Sequence, residues 1–352
     1  MLSDKHKEGT QNKKILFPFV TFYKSGGMRV LCKLANELSR AGYTVIIVVA
    51  DDSLPYFPVN PSVNIFNMQK KNSITALWAM SSFIRKHPEY NVIANQYRTA
   101  YYLFWGTLFN HFNIQKIYYI QAYEAGFYMG KSISARIHRV NAWFSYFLPF
   151  KQIVNSDLYA DYKNIHTNRI LYPGLDLNTY YPKDVNFFNK TIKIGTIGRK
   201  EVIKGTSDVC KAMEILQTDG FIFDFYIAFN DFETCEHHFV KPDGDDYLAA
   251  FYRDMDIVVA ACKGQHGAIH YPIIESMSVG TSVVCTDYYP ANEKNAYIVD
   301  ESSPEQIVSA VKEIIHDKLS AIEKRKQALE DIRQFSWPII VKKFISYMQE
   351  EC

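Results

Sequence analysis

Residues 13–50 constrain the fold more than any other part of the chain. KKILFPFVT (13–21) is a short apolar run rich in β formers, and FYKSGG after it is a loop. MRVLCKLANELSRAG then places Val30, Leu31, Leu34, Ala35 and Leu38 at helical spacing and stops at Gly42, as an amphipathic helix with a glycine cap does. YTVIIVVA (43–50) is a nearly continuous Val/Ile run, the composition of a strand buried on both faces of a parallel sheet. Strand, glycine loop, helix and strand make a βαβ unit with a right-handed crossover and its loop at the carboxyl edge of the sheet.

The pattern repeats. NVIANQ near 91–96, KIYYIQA near 116–122 and KQIVNS at 151–156 each read as a short strand ending in a polar residue. In open α/β sheets ligands sit beyond the carboxyl ends of the strands, so Gln96, Gln121, Glu124 and Asn155 are candidates for lining a site. LYPGLDLNTYYPKDVNFFNK shows no strand or helix period and reads as a linker. TIKIGTIGR (191–199) restarts the alternation, and helices are expected over 207–217, 272–279 and 304–315, with strands FDFYIAF, DMDIVVAAC, TSVVCT and NAYIVD among them. At 352 residues the chain holds roughly two domains.

Lys and Arg number 39 against 37 Asp and Glu, a net charge of +2 with no global field to attract nucleic acid. Six cysteines without a CxxC pair, and a polar first stretch lacking an apolar core, are what a reduced, cytosolic chain is expected to carry. Aromatic residues make up 15% of the chain and are bunched. TAYYLFWGTLFNHF (99–112) is too short to span a bilayer and reads as a buried helix. SISARIHRVNAWFSYFLPFK (132–151) interleaves Arg136, His138, Arg139 and Lys151 with Trp143, Phe144, Tyr146 and Phe147. That mix suits either an interfacial helix in peripheral membrane contact or a core helix with a solvated basic edge.

Four motifs carry chemistry. GRKEVIKG (198–205) sets Arg199 and Lys204 in a glycine-flanked turn before a helix, where free backbone N–H groups and two cations suit a diphosphate; a solvated basic loop is the plainer reading. SGGMR (25–29) repeats that architecture: Gly26 and Gly27 either let the backbone approach a ligand or make a tight turn. GAIHYPIIESMSVGTSVV (267–284) puts Glu275 in the expected first turn of a helix, placed to accept hydrogen bonds from a vicinal diol such as a ribose. His266 and His270 lie four apart in it but lack a third ligand for zinc. YIQAYEAGFY groups Gln121, Tyr123 and Glu124 beside aromatics, either an acceptor wall for a sugar or the edge of a core. DGDD (243–246) reads as a solvated loop that caps a helix, not as a metal site.

Taken in order, SGGMRVLCKLANELSRAGYTV, NSDLYADY, LYPGLDLNTYYP, GRKEVIKG and YPIIESMSVGTSVV resemble the retaining GT-B glycosyltransferases of family 4 over nearly the whole chain. A subset of bacterial surface-polysaccharide transferases (O-antigen, capsule and S-layer glycan) is similar also in the His-Tyr-Pro block and in YIQAYE. The resemblance implies an α/β GT-B fold of two Rossmann-like domains facing across a cleft: an acceptor-binding domain over 1–172, a donor domain over 173–335, and a C-terminal helix, 336–352, crossing back to the first. It implies a nucleotide-diphosphate sugar as co-substrate, a glycan or lipid-linked acceptor, no metal, and a cytoplasmic place at or near the inner face of the membrane. Carried over by position, Arg199 and Lys204 grip the donor diphosphate, Glu275 holds the ribose, and Gly26, Gly27 and Gly198 lie near the phosphates. Glu124 is expected to orient the acceptor hydroxyl, beside Gln121 and Tyr123. Where the family usually has a second glutamate this chain has Gly267, so the sugar contact passes to His266, His270 or backbone N–H groups; a catalytically impaired nucleotide-sugar-binding subunit is the alternative.

Overall fold

The structure, a computed structural model, describes residues 13–70, 72–109, 113–233, 235–264 and 269–350. The chain divides into two compact units, one running to Pro173 and resuming at Trp337, the other spanning Gly174–Ser336.

The first unit is built on a six-stranded parallel sheet of β1 (Lys14–Phe19), β2 (Thr44–Val49), β3 (Asn64–Asn67), β4 (Asn91–Ala94), β5 (Lys116–Ile120) and β6 (Lys151–Val154), in the order β3-β2-β1-β4-β5-β6. Helices α1 (Gly26–Arg40), α2 (Ser73–Lys86), α3 (Tyr97–Thr107) and α4 (Ile133–Ser145) cover it. β1 and β2 pair Leu16 with Ile46 and Phe19 with Val49, and their apolar side chains are almost wholly removed from water. At about 1.5–3 kcal/mol for each large apolar side chain, that double row is the strongest local reason for the sheet to form where it does. The residues spaced along α1 as its inward face, Val30, Leu31, Leu34, Ala35 and Leu38, are all buried.

α2 is a helix that the spacing did not announce. Its buried side, Ala76, Met80, Ser81 and Ile84, includes a serine, while the apolar Ile74 and Trp78 face outward, so no clean apolar face stands out in the sequence. α3 buries Tyr97, Ala100, Tyr102 and Leu103 as expected of the aromatic run, but Trp105 is on its outer side and Phe109 beyond it is exposed; residues 110–112 lie outside the described residues. No helix of the described residues is long and apolar enough to cross a membrane.

The second unit repeats the plan. β7 (Ile192–Ile197), β8 (Phe223–Ala228), β9 (His238–Val240), β10 (Ile257–Ala260), β11 (Ser282–Cys285) and β12 (Tyr297–Ile298) form a parallel sheet in the order β12-β11-β10-β7-β8-β9, the same topology as the first. Its helices are α5 (Thr206–Thr218), α6 (Asp245–Asp254), α7 (Tyr271–Ser278), α8 (Pro304–His316) and α9 (Lys318–Ile332). Asp245 and Asp246 of the DGDD run form the first turn of α6, where carboxylates complement the positive helix end.

The stretch read as a linker is fastened to this unit. Arg325 of α9 is 1% exposed, and its guanidinium donates to the carbonyls of Val185, Phe187 and Asp256 and to Ser282 Oγ. Every donating arm is occupied by groups far apart in sequence, which is why no local period reveals it. The chain then returns to the first unit: α10 (Trp337–Gln349) packs beside α1, and the buried Lys151 Nζ donates to the carbonyls of Tyr347 (3.0 Å) and Glu350 (2.5 Å) at its end.

In each sheet the strand order reverses at one place, between β1 and β4 and between β7 and β10. Loops diverge there and leave a crevice at the carboxyl ends of the strands.

Candidate functional site

At the reversal point of the first unit a cavity of about 550 Å³ opens, a size that suits a sugar-sized ligand. The loop after β1 meets the loop after β4 where Tyr23 Oη donates to Gln96 Oε1 at 2.9 Å, and Asn95 Nδ2 donates to the Pro18 carbonyl at 3.0 Å. Gln96, Gln121 and Glu124 all line the cavity, together with Tyr97, Arg98 and Tyr128; Asn155 does not. Ser25 caps α1, accepting from the Met28 N–H. Neither Gly26 nor Gly27 has a positive φ, so the turn itself does not require glycine. A side chain at Gly27 would come to 3.4 Å from Gln121 Oε1, whereas one at Gly26 would meet nothing within 4 Å.

Glu124 opens a short 3-10 turn, Glu124–Phe127, directly after β5. Its Oε1 accepts from the Tyr97 N–H at the first residue of α3 (2.9 Å) and from Tyr118 Oη (3.3 Å), and its own N–H donates to Tyr146 Oη (2.8 Å). Burial among these tyrosines pushes the carboxyl up to about 8, against the opposing pull of the Tyr97 N–H, the Tyr118 hydroxyl and the Arg98 charge. A carboxyl so raised can exchange a proton near neutrality. Tyr123, placed by the sequence on the same wall, points elsewhere: it stacks on Tyr146 and lies under Lys163 Nζ at 4.7 Å, lining a different hollow.

In the second unit the loop after β7 carries Arg199 and Lys204. Thr206 closes the loop, its hydroxyl accepting from the Arg199 N–H (3.1 Å) and donating to the Arg199 carbonyl (3.2 Å). Gly205, at φ 71°, presses so close to β10 that a side chain there would fall 1.8 Å from the Ala261 carbonyl oxygen. Gly198 is likewise fixed by its neighbours, since a Cβ would lie 2.3 Å from the Asn230 carbonyl oxygen. Packing accounts for both glycines. The loop after β10 joins in: the Lys263 N–H donates to the Ile203 carbonyl (2.7 Å), and Lys263 Nζ pairs with Asp208 in the first turn of α5 (2.6 Å).

His270 precedes α7 and is 7% exposed. Its Nε2 lies 3.1 Å from the Cys262 thiol, and Nδ1 is buried without a hydrogen-bond partner among the described residues. Burial, reinforced by the charges of Lys204 and Arg199, pushes the imidazole down to about 3 and keeps it neutral. His266 and Gly267 lie outside the described residues.

Glu275 differs from the expectation of a first-turn carboxylate. α7 begins at Tyr271, so Glu275 sits past the first turn; it is 2% exposed, and its oxygens accept from Tyr180 Oη (3.2 Å) and Tyr252 Oη (3.1 Å). Tyr180 comes from the stretch read as a linker, where no local pattern points to this partner. Sequence reasoning also passed over Arg98, Tyr23 and Cys262. Arg98 lies two residues past the run NVIANQ and Cys262 ends the run DMDIVVAAC, and that place at a strand's carboxyl end is the signal that could have found them.

Among the described residues no group of three or more His, Cys, Asp and Glu side chains is placed to hold a metal ion. Residues 191–317 match the family model described as glycosyl transferases group 1. That span includes Arg199, Lys204, His270 and Glu275. No curated protein matches the chain. Among solved structures, sucrose-phosphate synthase from Thermosynechococcus elongatus is similar at a TM-score of 0.70 and 16% identity, over 95% of this chain and 97% of that one. A glycosyltransferase from Rickettsia africae is similar at 0.71 and 14%, over 97% and 100%. HepE from Anabaena, solved in complex with UDP, is similar at 0.70 and 14%, over 95% and 98%. The chain therefore has the GT-B fold, and within its second unit residues 191–317 are similar to the group 1 glycosyl transferases.

Proposed function

We propose that the protein transfers a hexose from a nucleotide-diphosphate sugar to a glycan or lipid-linked acceptor, with retention at the anomeric carbon and without a metal, in the synthesis of a bacterial surface polysaccharide. The observation that carries this reading is the pair Arg199 and Lys204, set in the loop between β7 and α5 within the span matched by the glycosyltransferase model, with the buried His270 held in their field. HepE, bound to UDP, supports a nucleotide sugar as the donor class.

The departing diphosphate gathers negative charge as the glycosidic bond breaks. Two fixed cations and a helix N-terminus stabilise it without reorganising. The acceptor hydroxyl attacks from the face the diphosphate leaves, and a phosphate oxygen of the leaving group takes its proton. Glu124, with Gln121 beside it, orients the acceptor in the first unit, and the residues at 266–270 hold the sugar in place of the family's missing glutamate. Peripheral contact with the inner face of the membrane brings a lipid-linked acceptor within reach.

The test is a panel of nucleotide sugars scored by thermal shift and then by release of nucleoside diphosphate in the presence of a chelator. A ligand at a hundred times its Kd raises stability by about 2.7 kcal/mol. One sugar is expected to stabilise and to turn over with chelator present. Stabilisation without release of diphosphate is the signature of an impaired binding subunit, the reading that Gly267 favours. No stabilisation by any member of the panel overturns both.

A further inference from the structure

α4 is amphipathic the wrong way round for a core helix. Ile133, Ile137, Val140 and Phe144 recur at the spacing of one helix face, and they are 76%, 54%, 50% and 54% exposed. The residues α4 does bury, Ala142 and Ser145, are small and lie on the other side. Phe127 and Met129 ahead of the helix and Phe147 behind it extend the apolar strip, each more than half exposed. Beside the strip is a hollow of about 770 Å³ lined by Met129, Arg136, Arg139, Trp143, Phe144 and Lys163.

Along residues 125–156 the charge has one sign. They contain no Asp or Glu, while Lys131, Arg136 and Arg139 are exposed there; Lys163, from the segment after β6 that also carries Asp157 and Asp161, lines the hollow with the two arginines. Apolar side chains with an aromatic component, flanked by long basic side chains that can lay their stems along the surface, match the boundary between acyl chains and anionic headgroups. At 13 residues α4 lies on such a surface and cannot cross it. A second copy of the same face would set like charges against like charges, which disfavours self-association.

We infer that the exposed face of α4, with the turn before it, docks on the surface of an anionic phospholipid bilayer. This deepens the membrane contact proposed above by naming its surface and its lipid class. The 3-10 turn Glu124–Phe127 adjoins both places: Glu124 lines the polar cavity, while Ala125 and Gly126 line the hollow beside α4. Docking therefore sets the polar cavity next to the headgroups, where a lipid-linked acceptor presents its sugar or phosphate.

The test is sedimentation of the full chain with vesicles of phosphatidylcholine alone and of phosphatidylcholine with one third phosphatidylglycerol, at low and high salt. The wild type is expected to pellet with the anionic vesicles only, and less at high salt because exposed charges are screened. R136E/R139E is expected to weaken partitioning by at least about 25-fold, from roughly fivefold for each basic residue removed. I137S/F144S changes only exposed positions and is expected to abolish the binding that survives high salt. Circular dichroism and melting temperature of both variants serve as folding controls. Wild-type protein left in the supernatant overturns the inference, as does unaltered pelleting of both variants. A concentration-dependent dimer in light scattering that I137S/F144S dissolves also overturns it, because a second copy then covers the face. Transfer to a soluble acceptor needs no vesicle, so its failure beside intact vesicle binding counts against the proposed activity and leaves the docking surface standing.

Discussion

The Cys262 thiol lies 3.1 Å from Nε2 of His270, and burial holds both groups neutral: the thiol is pushed up to about 11 and the imidazole down to about 3. The pair is not a thiolate–imidazolium nucleophile. It occupies one ring nitrogen, and Nδ1 has no hydrogen-bond partner among the described residues.

Two outcomes follow for this pair. Cys262 in the folded protein is expected to resist alkylation by iodoacetamide at neutral pH, read by mass spectrometry, since the thiolate is the reactive form. His270→Ala is expected to weaken nucleotide-sugar binding about fivefold, the worth of one hydrogen bond near 1 kcal/mol, read by calorimetry. Unchanged affinity removes His270 from the donor site.

Replacing Arg199 and Lys204 together by Ala is expected to lower kcat/KM by roughly a hundredfold or more, about 3 kcal/mol, as the loss of a fixed electrostatic stabiliser does. Both side chains reach solvent and Thr206 holds the loop through the Arg199 backbone, so the melting temperature is expected to stay near that of the wild type. Retained turnover in the double variant refutes the assignment.

Glu124 and His270 make stability depend on pH in opposite senses. The carboxyl is raised from 4.5 to about 8, so the folded state holds a proton that the unfolded state gives up, and stability falls as pH rises through that window. The imidazole is lowered from 6.5 to about 3, so the unfolded state binds the extra proton, and stability falls by about 1.4 kcal/mol per unit as pH drops below 6.5. Denaturant titrations across pH are expected to show Glu124→Gln removing the alkaline decline and His270→Asn reducing the acid one. If Glu124 acts on the acceptor as its carboxylate, kcat/KM for the acceptor rises through pH 8 in the wild type and loses that limb in Glu124→Gln.

Lys151→Met is expected to destabilise the first unit by about 2–3 kcal/mol, measured by denaturant unfolding. It strips the charged donor from the carbonyls of Tyr347 and Glu350 and from Gln115 Oε1 (2.7 Å), leaving acceptors unmatched at a buried site. Proteolysis at the end of α10 is expected to quicken in the same variant.

The sequence by itself determined the two α/β halves, most of their strands, and the loops on which Arg199, Lys204, Gln121 and Glu124 sit. Those features are local: an apolar run flanked by polar residues buries itself as a strand, and spacing along a helix selects its inward face. It did not announce α2 or α9, whose inward faces mix apolar residues with Ser81 and Arg325. Only the tertiary structure decided that Glu275 meets Tyr180 and Tyr252, that Cys262 occupies one nitrogen of His270, and that the apolar strip of α4 faces outward. The first joins Glu275 to partners 95 and 23 positions away, the second joins the end of one strand to the start of the next helix, and the third depends on which face of a helix the sheet leaves uncovered. Pairwise contact across a fold is set by how the layers stack, and no local period in the chain encodes it.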